Sequence, residues 1–211
     1  IFLLSSNQVE ALRGVFAGGG VEDNNTEIYQ TFIDMATPKG KKPYIGVITA
    51  ASDDPPGSGI FYTQLFKQNY HVENVEWIPI DINNTQKAEN PIIAAKIYEM
   101  TGIFFGGGDQ ERLITCFCRN DSQGRLKDTL TLSVIRKKVN DNTLVIGGTS
   151  AGVDIQQAKP MISGGESWNA LVFGAFPYRN ASDENILSYN PQGAFGFFPW
   201  SFLDTHVGTL G

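Results

Sequence analysis

At 211 residues, with 41% hydrophobic and 18% charged residues, the chain is sized for one domain with a sizeable core. A net charge of -6 and the lack of any basic run argue against nucleic acid as a partner. No apolar stretch approaches the roughly 20 residues of a membrane-spanning helix, so no membrane partner is expected either.

In chain order, Val15-Phe16-Ala17 reads as a short buried strand that ends in Gly18-Gly19-Gly20. Thr26 is placed to cap a helix running to about Met35, and Pro38-Lys39-Gly40 stops it. Tyr44 to Thr49 is a second buried strand, Ser52 to Gly57 a loop, and Phe61 to Tyr70 has apolar residues at helical spacing. Val75 to Ile80 is a third strand, closed by Pro79. Asn90-Pro91 opens a helix whose expected apolar face is Ile92, Ile93, Ala95, Ile97 and Met100. Gly102 to Phe105 is a fourth strand and again runs into three glycines, Gly106 to Gly108. A helix follows from about Gln110, then a polar loop at Asn120 to Gly124, then a helix to about Val139, then the apolar run Leu144-Val145-Ile146. Beyond residue 157 the chain turns rich in Gly and aromatics, which reads as loops or a short hairpin layer over a site.

Near-continuous apolar strands alternating with amphipathic helices predict an α/β fold, a mostly parallel sheet with helices on both faces. Such sheets place ligands beyond the C-terminal ends of their strands, where the glycine-rich loops after Ala17, Phe105 and Ile146 all fall. The last of these, Gly148-Thr149-Ser150-Ala151-Gly152, has the form G-x-S-x-G. A strand-to-helix turn this sharp strains the backbone of its middle residue and needs small neighbours on both sides. It would lift the Ser150 hydroxyl above the sheet edge and aim the Ala151 amide at the group Ser150 attacks. Taken alone, the pentapeptide fits equally an ordinary glycine-rich loop with an incidental serine.

A serine nucleophile needs a base, and the chain has two histidines. His71 sits at a polar helix-to-strand junction and reads as a solvated loop residue. His206 lies downstream of the serine, an order known in open α/β hydrolases, and is the preferred base, its alternative being a structural histidine. The amides of Gly107 or Gly108 could complete an oxyanion site with Ala151. Gly106-Gly107-Gly108-Asp109-Gln110 is neither G-x-G-x-x-G nor a P-loop, so a phosphate-binding role is disfavoured. The third group stays open between Asp204, Asp154 and Glu166, while Asp109 is equally a substrate-binding residue.

Cys116 and Cys118 stand too close for an unstrained bridge and have no His or Cys cluster beside them, so zinc is not expected. Free thiols and bridges to another chain both remain open. Four N-x-[ST] sequons, at Asn24, Asn83, Asn120 and Asn180, each in a polar segment, point to a glycosylated, secreted or lumenal protein.

Gly106–Gln110, Gly148–Gly152, Met161–Ser167 and Leu203–His206, in this order, resemble the successive motifs of the cyanophycinase-like serine peptidases, family S51, which include the aspartyl dipeptidases. The resemblance runs from the first strand to the end of the chain. It implies a flavodoxin-like fold related to class I glutamine amidotransferases, with Ser150 as nucleophile and His206 as base acting on a peptide substrate without metal or organic cofactor. It also implies that Gln110 holds substrate near the nucleophile and that Asp204 is an acidic substrate contact, with Asp109 and Glu166 as further substrate-binding candidates. Glutamine amidotransferases themselves fit less well, since they use a cysteine nucleophile and a His-x-Glu pair where this chain has Ser150 and His206-Val207-Gly208.

Cyanophycinases carry Gln just before the histidine, where this chain has Thr205, which argues against specificity for their arginine-decorated aspartate polymer. Family members also continue past this point, with further elements and the acid of the triad. The expectation is therefore a single α/β hydrolytic domain over residues 1–211 that lacks its C-terminal elements, supplied by a companion chain cut from the same precursor, or lost. Self-association into a homo-oligomer is left open. The alternative function is a non-catalytic secreted binding or structural protein that keeps the fold.

Overall fold

The structure, a computed structural model, describes residues 12–177 and 185–205. In chain order its elements are β1 (Gly14–Ala17), α1 (Thr26–Ala36), β2 (Tyr44–Ile48), α2 (Pro55–Gln64), β3 (Asn74–Trp77), α3 (Pro91–Glu99) and β4 (Gly102–Phe105). There follow α4 (Gln110–Phe117), β5 (Cys118–Asn120), β6 (Leu126–Asp128), α5 (Leu130–Asn140), β7 (Val145–Thr149) and α6 (Ala151–Asp154). The last group is β8 (Met161–Gly164), α7 (Ser167–Phe173), β9 (Phe176–Pro177) and β10 (Ser188–Asn190). Five strands form one parallel sheet in the order β1-β7-β4-β2-β3. The expected α/β architecture is present, with helices on both faces.

The sheet is buried on both sides because its central strands have no polar side to offer: every residue of β4 and β7 is buried. Alternation along β4 sends Phe104 to one face and Ile103 and Phe105 to the other. On the first face Phe104 meets Tyr29 and Phe32 of α1 and Phe66, at ring-centroid distances of 5.9, 5.6 and 5.4 Å. On the second, Ile103, Phe105 and Ile146 pack with Leu113, Phe117, Leu132 and Ile135 from α4 and α5. Each of these side chains contributes about 1.5–3 kcal/mol on leaving water.

Several boundaries differ from the sequence reading. Asn25, not Thr26, caps α1, its side chain accepting from the Ile28 amide at 3.2 Å. The Ser52–Gly57 stretch is a loop only to Asp54, whose carboxylate accepts from the Gly57 amide at 3.1 Å and starts α2 at Pro55. The buried face of α3 is Ala94 and Ile97, continued by Met100, whereas Ile92 and Ala95 are exposed. The polar stretch after α4 is a hairpin: β5 and β6 pair antiparallel around Asp121, which accepts from the amides of Gln123 and Arg125 and bonds the Arg125 guanidinium. The two cysteines are free and buried, and burial pushes both thiols up to about 12. Beyond Gln157 the chain forms a second layer, a three-stranded sheet in the order β8-β10-β9, with α7 following β8 in the chain.

Candidate active site

The strand order decides which loops meet. β7 lies between β1 and β4, so the three glycine-rich loops emerge side by side at one sheet edge with the Ser150 turn in the middle. Ala17 pairs with Thr149 and Phe105 with Gly148, so all three strands end at the same level.

Ser150 has φ 51° and ψ -126°, a left-handed conformation that costs a non-glycine residue about 1–3 kcal/mol. Its surroundings hold it there. The Ser150 amide donates to the Ala17 carbonyl at 3.3 Å, and its carbonyl accepts from the Val153 amide at 2.7 Å. A side chain on Gly148 would put its Cβ 2.4 Å from the Gly152 carbonyl oxygen, and one on Gly152 would lie 2.1 Å from the Phe105 carbonyl oxygen. Both glycines of G-x-S-x-G are therefore required by close backbone approach. Ala151 opens α6, so its amide has no carbonyl four residues back to bond within the helix.

On the β4 side, Gly107 faces the nucleophile: a Cβ there would stand 3.2 Å from Ser150 Cβ and 3.7 Å from Ser150 Oγ. Gly108, at φ 134°, turns toward Ala51 instead, where a Cβ would lie 2.1 Å from the Ala51 carbonyl oxygen. Of the two expected oxyanion donors, the structure puts Gly107 beside Ser150. It also supplies a neighbour that sequence reasoning missed. The Tyr62 ring edge lies against Gly106, which puts Tyr62 beside the loop that carries Gly107. Burial raises the pKa of the Tyr62 hydroxyl, and the Asp23 carboxylate raises it further. Nothing in the α2 sequence marks Tyr62, because its approach to Gly106 depends on how α2 packs across the sheet.

Asp109 caps α4 by accepting from the Glu111 amide at 2.8 Å. It opens onto a cavity of about 730 Å³ that Glu111, Arg112, Asn190 and Gln192 also line. Gln110 is buried, and its side-chain amide donates to the Ile162 carbonyl at 3.0 Å. Its nitrogen thus ties the loop after β4 to β8. Glu166 is exposed at the start of α7, its backbone amide donating to the Asn185 carbonyl.

The segment leading to the expected base approaches from the β1 side. Thr205 is buried, its carbonyl accepts from the Gly19 amide at 2.7 Å, and its hydroxyl donates to the Asp154 carboxylate at 3.2 Å. Asp154 is itself buried, and its pKa is pushed up to about 7, first by burial and then by the Asp204 carboxylate, against the Thr205 hydrogen bond. Asp204 is exposed. His206 and Asn180 lie outside the described residues. Asn24, Asn83 and Asn120 are exposed, as glycan acceptors must be, and His71 is exposed at a left-handed φ of 56°.

Residues 15–209 match the model of peptidase family S51. The cyanophycinase of Trichormus variabilis is 34% identical over 190 residues, which are 89% of this chain and 54% of that protein, and a cyanophycinase of a Nostoc species gives the same values. The chain thus spans about half the length of the curated relatives it matches. Among solved structures, a peptidase from an acI-B1 Actinobacterium superposes with a TM-score of 0.57 at 19% identity, covering 86% of this chain and 63% of that one.

Proposed function

Because this chain belongs to peptidase family S51, we propose that it is the nucleophile-bearing part of a serine-type peptidase. Ser150 Oγ attacks the carbonyl carbon of a peptide bond, His206 takes the hydroxyl proton and later gives it to the leaving amine, and water then releases the acyl group. The amides of Ala151 and of Gly107 or Gly108 stabilise the oxyanion. Asp109, Gln110, Glu166 and Asp204 are the substrate contacts of this proposal.

The observation that carries this reading is the strained backbone of Ser150 between two glycines that admit no side chain. Such a turn is costly, and its use is to expose a nucleophile. A fluorophosphonate probe on the natural full-length protein tests it: a covalent adduct at Ser150 is expected, and failure to label that residue overturns the reading.

The proposal extends to a C-terminal segment that supplies the acid orienting His206, supported by relatives about twice as long as the stretch they share with this chain. Thr205 stands where cyanophycinases carry Gln, and its hydroxyl is turned onto Asp154, which supports a peptide substrate other than the arginine-decorated polymer. Secretion and glycosylation are supported by the exposure of Asn24, Asn83 and Asn120. A second reading, a non-catalytic binding protein on the same fold, is favoured by one observation, the exposed apolar side chains Trp168, Leu171, Phe173, Trp200 and Phe202.

A further inference from the structure

The loop after β1 makes three successive connections. The Ala17 carbonyl accepts from the Ser150 amide at 3.3 Å, the Gly18 carbonyl from the Thr149 hydroxyl at 2.8 Å, and the Gly19 amide donates to the Thr205 carbonyl at 2.7 Å. One tripeptide therefore binds the nucleophile, the residue before it, and the residue before His206. Gly18 must be glycine for this contact, because a Cβ there would lie 2.8 Å from the Thr205 carbonyl oxygen.

The same segment is held from the opposite side by α6, the helix that starts at the nucleophile. Asp154 Oδ2 accepts from the Thr205 hydroxyl at 3.2 Å. The Gln157 side-chain amide donates both to Asp154 Oδ1 at 3.4 Å and to the Leu203 carbonyl at 3.1 Å. Asp154 is only 7% exposed, and the charged group acting on it is the Asp204 carboxylate, which disfavours its ionisation. A buried carboxyl facing a second carboxylate stabilises a fold poorly, and an apolar residue of similar size would serve the core better.

Resting on the serine-peptidase reading, we infer that Asp154 is a positioning residue for the base. Through the Thr205 hydroxyl, and opposite the Gly18–Gly19 loop, it clamps the segment that carries His206 to the element that carries Ser150. Misplacement of such a group by about 1 Å costs on the order of 100-fold in rate, so a clamp between these two chain segments acts directly on catalysis.

The experiment measures the second-order rate of Ser150 modification by a fluorophosphonate in the full-length protein, with the melting temperature of the same samples. Thr205→Val, which removes one hydroxyl at constant shape, is expected to lower that rate about 10- to 100-fold. Its melting temperature should stay within a few degrees of wild type. Thr205→Ser, which restores the hydroxyl, and Asp154→Asn, which keeps an acceptor oxygen, should both recover most of the rate. Asp154→Leu should be as slow as Thr205→Val while melting no lower than wild type. The inference falls if Thr205→Val reacts at the wild-type rate, if Thr205→Ser does not rescue, or if every loss of rate tracks a loss of folded protein. A wild-type protein that does not label takes the peptidase reading down with it. A labelled wild type with an equally labelled Thr205→Val removes the clamp alone.

Discussion

The parallel sheet and the layer that follows it solve the same packing problem to different degrees. In the sheet, the apolar side chains of β4 and β7 are buried and met on both faces by helices. In the outer layer, α7 and the strands β8, β10 and β9 leave Trp168 72% and Leu171 81% exposed, with Phe173, Trp200 and Phe202 also open to water. The sheet completes its own core, whereas the later layer does not do so within the described residues. Ser150 belongs to the first region, and Leu203–Thr205 arrives with the second. The two regions meet at the Thr205 contacts with Gly19 and Asp154.

The sharpest test of that contrast is chemical. Ser150→Ala should lower peptidase turnover by about 10⁴-fold or more. Ser150→Gly should abolish turnover equally and raise the melting temperature, since glycine removes the φ 51° penalty. A Gly variant that melts no higher than Ala would show that the turn stores no strain.

Core substitutions come next. Phe104→Ala, in the sheet core among Tyr29, Phe32 and Phe66, should cost about 3–5 kcal/mol in denaturant unfolding. A loss below ~1 kcal/mol would break the picture of a close-packed sheet.

At the junction, Asp154→Asn probes stability against pH. The folded pKa of Asp154, about 7, lies above its ordinary value of 3.8, so the native state binds the proton more tightly than the unfolded chain. Its contribution to stability is full below about pH 4, declines as pH rises to 7, and is flat above that, with a total on the order of 4 kcal/mol. Asp154→Asn should remove this decline, and unfolding curves of wild type and variant at pH 4 and pH 8 measure it. Parallel pH profiles would refute the assignment.

The smallest effect belongs to the outer layer. Leu171→Ala should change stability by no more than about 0.5 kcal/mol in the isolated chain. A larger loss in the full-length protein than in this chain would show that another surface covers α7.

Much of the sheet was legible because its information is local. Apolar runs such as Gly102–Phe105 and the Gly148–Gly152 pattern each state a backbone requirement within a few residues, and both stand where expected. The failures came where two local rules competed. At Ser52–Gly57, two prolines and a glycine read as loop, yet Pro55 and Pro56 are tolerated in a first helical turn once Asp54 caps it. In α3, Ile92 looks like a core residue by its chemistry, but the helix is turned so that Ala94 and Ile97 face the sheet. The β5–β6 hairpin was hidden because three-residue strands carry too little alternation to register.

By itself the sequence determined the strand-to-helix turn at Ser150, the three glycine-rich loops and the α/β class, because each depends on neighbouring residues and on excluded volume within one turn of chain. Only the tertiary structure decided that these loops stand side by side, that Gly107 rather than Gly108 faces Ser150, that Tyr62 lies against Gly106, and that Thr205 is held by Asp154. Asp154 and Thr205 are 51 residues apart in the chain. Their meeting is set by the order of β1, β7 and β4 and by how the outer layer folds back over their ends, neither of which any local pattern encodes.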